Sequence, residues 1–134
     1  MIEKMMNQEQ LKNRTKEFAL RVIRLVDALP STIAGKNIGN QIMRSGTSVA
    51  ANYRAACRAR SRAEFTAKLG TVVEEAYETA FWLELIVESG ILPKDKIDLL
   101  HREANELSAI FVASRKTASK SSIINRQSKI GDHR

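Results

Sequence analysis

Residues 44–65 read RSGTSVAANYRAACRARSRAEF, and how this stretch folds decides the rest of the chain. On propensity alone Ser45-Gly46-Thr47-Ser48 breaks a helix. Phase says the opposite. At about 100° per residue, Ile38, Ile42, Val49, Tyr53 and Ala56 fall within roughly 60° of one another, on both sides of Gly46. One long, bent helix running through the serines and glycine satisfies that pattern. On the same wheel Lys36, Arg44, Arg54 and Arg58 occupy an opposite arc of about 80°, a stripe roughly 33 Å long at 1.5 Å per residue. Arg60 points to the apolar side, so the helix has ended by there. Ser61 followed by Glu64 then forms a capping box that opens the next helix, each side chain accepting from the other residue's backbone N–H.

Towards the N-terminus, Phe18, Val22, Leu25 and Leu29 recur at steps of four, three and four, with Ala19, Ile23 and Val26 beside them. This predicts a helix over about 11–29. Pro30 stops it, and Ser31 or Thr32 caps a second helix over 32–59. In the third helix, 62–89, the seam is Leu69, Val73, Ala76, Ala80, Leu83 and Val87, closed by Gly90 in the left-handed position. Phe65, Val72, Tyr77, Phe81, Trp82, Leu85 and Ile86 fall outside that seam. The fourth helix, 93–115, takes Pro93 in its first turn and buries Ile97, Leu100, Ala104, Leu107 and Phe111. Beyond it the apolar rhythm fades, which predicts a basic, disordered tail over 119–134. The expectation is an all-α, antiparallel up-down-up-down four-helix bundle in one domain, 1–118.

Composition narrows the function. The 134-residue chain carries a net charge of +7 and 43% hydrophobic residues, but only 5% aromatics, which suits an aliphatic helical core. The N-terminal MIEKMMNQEQ lacks the pattern of a secretion signal, no apolar run reaches membrane-span length, and one cysteine cannot make an internal disulfide. A cytoplasmic protein is expected. Charge is segregated: residues 31–63 hold six basic and no acidic side chains, and residues 64–90 hold one lysine against six glutamates. Such blocks either recruit a partner of opposite charge or satisfy one another.

The arginines Arg44, Arg54, Arg58, Arg60 and Arg62, with Lys36 and the tail's Arg115 and Lys116, form the candidate nucleic-acid surface, since guanidinium forks match phosphate oxygens. Two other readings stay open at this point: ion pairs to glutamates such as Glu74, Glu78 or Glu84, and a solvated face. Glu74, Glu75, Glu78, Glu84 and Glu88 raise the question of a metal. A di-iron bundle, however, needs two Glu-x-x-His pairs, and only Asp98 and His101 stand at that spacing. No metal, cofactor or catalytic residue is expected. Cys57, among alanines, reads as a small buried hydrophobe. No glycine-rich phosphate loop or nucleophile motif occurs, so the chain is expected not to be an enzyme. The surplus apolar surface of the third helix, with the small residues of the second, predicts self-association through Ala51, Ala55, Phe81, Trp82, Leu85 and Ile86.

The segments RTKEFALRVIRLVDALP, RSGTSVAANYRAACRARSRAEF and KLGTVVEEAYETAFWLELIVESGIL resemble the small bacterial four-helix bundle family named for proteins encoded in intervening sequences of 23S ribosomal RNA genes. The likeness runs from about Leu11 to Thr117. It implies an antiparallel bundle assembled as a homopentameric ring, with RNA or a nucleic-acid-processing protein as partner. By fold analogy alone, the accessory protein of diversity-generating retroelements is a more distant relative.

Overall fold

The computed structural model describes the backbone of residues 6–132 and the side chains of residues 6–120. Among these lie four α-helices and no strand: α1 (Gln8–Ala28), α2 (Ile33–Cys57), α3 (Arg62–Glu88) and α4 (Asp98–Asp132), with a 3-10 turn at Lys94–Lys96 before α4. Each helix packs chiefly on its neighbour in sequence, α3 against both α2 and α4, while α1 and α4 touch only lightly. The connections are short, as an up-and-down bundle requires.

The helix ends follow backbone hydrogen-bond needs. Asn7 and Gln10 form a capping box at the start of α1, which the sequence reading does not include. Leu29, extended before Pro30, ends it, and the Thr32 hydroxyl accepts the Gly35 N–H at 3.0 Å to start α2. Ser61 is the cap of α3, accepting the Glu64 N–H at 3.1 Å. The reciprocal half differs from expectation, because the Glu64 carboxylate takes the N–H of Arg60 instead of that of Ser61. At the far end Gly90 has φ +77°. The N–H groups of Gly90 and Ile91 return to the carbonyls of Val87 and Ile86, each at 3.0 Å, a Schellman closure.

Two boundaries move. Pro93 precedes the 3-10 turn instead of opening a helix, and α4 begins at Asp98, where the Ile97 carbonyl accepts the first amide, His101 N–H, at 2.9 Å. Ile97 is buried in the core and fixes that start. At the other end α4 runs on to Asp132, past the end expected near 115. The added stretch contains no proline, and its first glycine is Gly131, so nothing local stops the helix. The described core does end near the expected limit, its last buried hydrophobic being Ala118.

α2 passes unbroken through SGTS, and the neighbouring helices explain why. A β-carbon at Gly46 would lie 2.7 and 2.8 Å from the γ-carbons of Val22, so the bare backbone there lets α1 cross close. The Ser45 and Thr79 hydroxyls, both buried, share a 2.8 Å hydrogen bond between α2 and α3, and Thr47 bonds back to the Met43 carbonyl. Residues that would weaken an isolated helix serve here as a packing seam, with their polar groups satisfied. Below the seam Ile42, Val49, Tyr53 and Ala56 are buried as phase requires. The Tyr53 ring tilts on Phe111 with centroids 4.9 Å apart.

The buried face of α3 is wider than the predicted seam: Val72, Thr79 and Ile86 are also fully buried, because α3 has a neighbour on each side. The surplus apolar surface shrinks to Tyr77 and Phe81, each about half exposed, with Trp82 and Leu85 half-buried beside them.

Candidate nucleic-acid interface

The predicted basic stripe does not survive as one surface. Lys36 is exposed near the α1–α2 turn, beside a cleft shared with Asp27, Pro30 and Asn40, about 27 Å along α2 from Arg54. Between them Arg44 is held by α3: it lies 3.2 Å from Glu75 and is also paired with Glu78. Its charge is met within the chain.

The remaining arginines gather at the opposite end. Arg54 and Arg58 are exposed at the C-terminus of α2, Arg60 is exposed in the connection, and Arg62 opens α3. The Tyr53–Phe111 contact sets α2 and α4 in register. Positions four and five residues further on, Arg58 on one helix and Arg115 and Lys116 on the other, therefore stand at the same height. Arg115 and Lys116 are exposed. None of these six side chains is in an ion pair among the described residues, whose pairs involve Lys12, Arg14, Arg24, Arg44 and His101. The cause is register: the one acid of α3 at this end, Glu64, gives its carboxylate to the Arg60 backbone N–H, α3 then presents Thr66, Ala67, Lys68 and Gly70, and its next glutamate is Glu74.

Two basic side chains outside the predicted stripe are structural. Arg14 of α1 donates to both Glu103 oxygens at 2.7 Å and to Glu106 at 2.8 Å, tying α1 to α4. The hydrogen bonds to Glu103 hold its guanidinium above the usual arginine range. His101 bonds Glu84 through Nε2 at 2.9 Å, and Asn105 lies 3.3 Å from Nδ1, so both ring nitrogens are engaged. Among the described residues no three His, Cys, Asp or Glu side chains converge as a metal site would require. Cys57 is half-buried at the edge of the core. Burial, and after it the neighbouring Cys57, push the Tyr53 hydroxyl well above the ordinary tyrosine range.

The self-association residues divide. Phe81 is half exposed and packs edge-on against Trp82 with centroids 5.2 Å apart. The Trp82 indole N–H is buried without a partner among the described residues. Leu85 is half-buried, Ala51 exposed and Ala55 half-buried. Ile86 is corrected: it is fully buried in the bundle core and has no surface to give another copy. Its burial follows from the wider apolar face of α3, which has a neighbour on each side.

Four helices and no strand among the described residues, close-packed through small residues, define an all-α helical bundle. The sequence profile of the 23S rRNA-intervening sequence protein family matches residues 7–113, and the chain belongs to that family. It is similar to a crystal structure of a protein of unknown function from the S23 ribosomal protein family of Bacteroides thetaiotaomicron. The two share 32% identity, covering 83% of this chain and 99% of that one, with a TM-score of 0.74. No curated protein matches the chain. Among the described residues no helix is long and apolar enough to cross a membrane.

Proposed function

We propose that this chain is a noncatalytic bundle that binds RNA through its α2–α3 end. One observation carries this reading: Arg54, Arg58, Arg60, Arg62, Arg115 and Lys116 converge there from three helices and a loop, with no described carboxylate in an ion pair with them. Unpaired guanidinium groups at this density offer phosphate oxygens several forked contacts and release counterions from the nucleic acid. The choice of RNA follows from the resemblance to the 23S rRNA-intervening sequence protein family.

Several copies act together in this proposal, in the cytoplasm, as the five-membered ring implied by the resemblance. The half-exposed Tyr77 and Phe81, with Trp82 and Leu85, supply an apolar patch for that contact. Repeating the basic end around a ring adds weak phosphate contacts by avidity.

An electrophoretic assay against a mixed RNA and DNA pool at low salt tests the proposal. Retarded RNA is expected, and unchanged mobility contradicts it. The competing reading is a ring-forming protein-interaction scaffold with no nucleic-acid binding, its basic and acidic helices paired between subunits; the pairing of Arg44 with Glu75 and Glu78 inside the chain shows that these helices carry matching charges. The scaffold reading forecasts that replacing Arg54 and Arg58 loosens the assembly without touching RNA.

A further inference from the structure

Gly70 lies on the flank of α3 that meets α4. A β-carbon there would come within 3.1, 3.2 and 3.3 Å of Cζ, Nη2 and Nε of Arg115. Three nearly equal distances mean that the guanidinium plane faces the helix, settled against bare backbone. The missing side chain thus creates a slot that holds a long, otherwise mobile arginine in one place. Next to it Arg115, Lys116, Ser119 and Lys120 line an open cleft of about 430 Å³. The spacing puts Arg115 above Ser119 and Lys116 above Lys120, one helical turn apart, so two cationic rungs share one face. Among the described residues none of the three cations is in an ion pair. The family profile stops at residue 113, so the cleft lies beyond the matched region.

We propose that this cleft is a phosphate subsite. Arg115 supplies a pre-positioned fork, Ser119 a hydroxyl donor, and Lys116 and Lys120 compact positive charge. Pre-positioning matters because a planar fork that is already held loses less freedom on binding than a free lysine does. The proposal rests on the RNA reading and adds a particular group to it: a phosphate of the RNA, either a terminal monoester or a backbone diester.

The test compares one RNA oligonucleotide in 5′-phosphate and 5′-hydroxyl forms, bound to the full chain and followed by fluorescence anisotropy across a salt series. Arg115→Lys keeps the charge and removes the fork. Gly70→Val keeps every charge and fills the slot. Each is expected to weaken RNA binding about fivefold or more with the salt slope unchanged, because geometry and not charge has been lost. Circular dichroism and melting confirm that the bundle is intact, and should Gly70→Val not fold, Arg115→Lys carries the result. A preference for the 5′-phosphate form that disappears in Arg115→Lys identifies a terminal phosphate as the ligand. Equal binding of the two forms, both weakened by the variants, identifies the backbone. If the parent chain binds RNA while both variants bind as it does, the subsite is wrong and the broader reading stands. If the parent chain binds no RNA, both fall.

Discussion

Arg44 and Arg58 sit on one helix, fourteen residues apart, on the same outward arc, yet their surroundings differ. Arg44 stands opposite Glu75 and Glu78 of α3 and is paired with both. Arg58 stands near the end where α3 carries Lys68 and Gly70, and where its one acid before Glu74, Glu64, takes the backbone N–H of Arg60. A helical wheel places both residues on one stripe. Only the register between α2 and α3 separates the cation paired within the fold from those that meet no carboxylate in an ion pair among the described residues. Charge blocks that look complementary in sequence are offset in space, and the offset leaves the basic end without ion pairs among the described residues.

The largest expected effect lies on the fold side of this comparison. Gly46→Leu would drive carbon atoms into Val22, already 2.7 Å from a β-carbon at that position, and should cost about 3 kcal/mol or more through overpacking. Adding Val22→Ala should recover part of the loss, since the two sites share one contact. Chemical denaturation measures both, and a stable Gly46→Leu chain would mean that α1 does not cross α2 there.

Arg14→Ala comes next. It breaks a bidentate, partly buried bond to Glu103 and should cost about 1.5–3 kcal/mol, the range for hydrogen bonds to charged groups. Arg44→Ala, by contrast, removes pairs from a side chain half open to water and should cost about 1 kcal/mol or less. Equal losses for the two would erase the distinction drawn between a tie holding α1 to α4 and a surface pair.

Ser61→Ala should cost about 0.5–2 kcal/mol through the unsatisfied Glu64 N–H. Denaturation showing no loss would move the α3 boundary.

The smallest effect is visible only in alkali. Buried Tyr53 keeps its proton in the fold beyond the ordinary tyrosine range. Above about pH 10 the unfolded chain gives up a proton that the folded chain retains, so stability present below that pH falls as pH rises. Tyr53→Phe should flatten this fall in melting curves recorded from neutral to strongly alkaline pH. A parallel decline in both chains would place the alkaline loss elsewhere.

Much of the fold was legible because its signals are local. Pro30, Ser61 and Gly90 punctuate the chain, and the phase of Ile42, Val49 and Tyr53 carries α2 through SGTS. Other features depend on a second helix and have no local signal. Val72 and Ile86 become core because α3 has two neighbours. Arg44 finds its partners 31 and 34 residues away. The Gly70 slot exists only because α4 lays Arg115 across it. The end of α4 differs for another reason: fading hydrophobic rhythm reports how far apolar packing is written into the sequence, the last described buried hydrophobic being Ala118, and not where a helix without a breaker stops. For the basic surface, residue type was legible in sequence but grouping was not, so Lys36 and Arg44 were counted with arginines whose surroundings they do not share.

The central claim is that cations of one stripe divide between fold and partner, and the salt dependence of RNA affinity tests it most directly. Single-stranded RNA affinity should fall by about 0.7 logarithmic units per decade of salt for each phosphate neutralised. The account predicts that Arg54→Ala with Arg58→Ala weakens binding across unrelated sequences and flattens this slope by up to about 1.4 units if both residues contact phosphate, with helicity and assembly mass unchanged. Arg44→Ala should leave the slope as it was. A slope altered equally by Arg44→Ala and by the double substitution, or altered by neither, would contradict it.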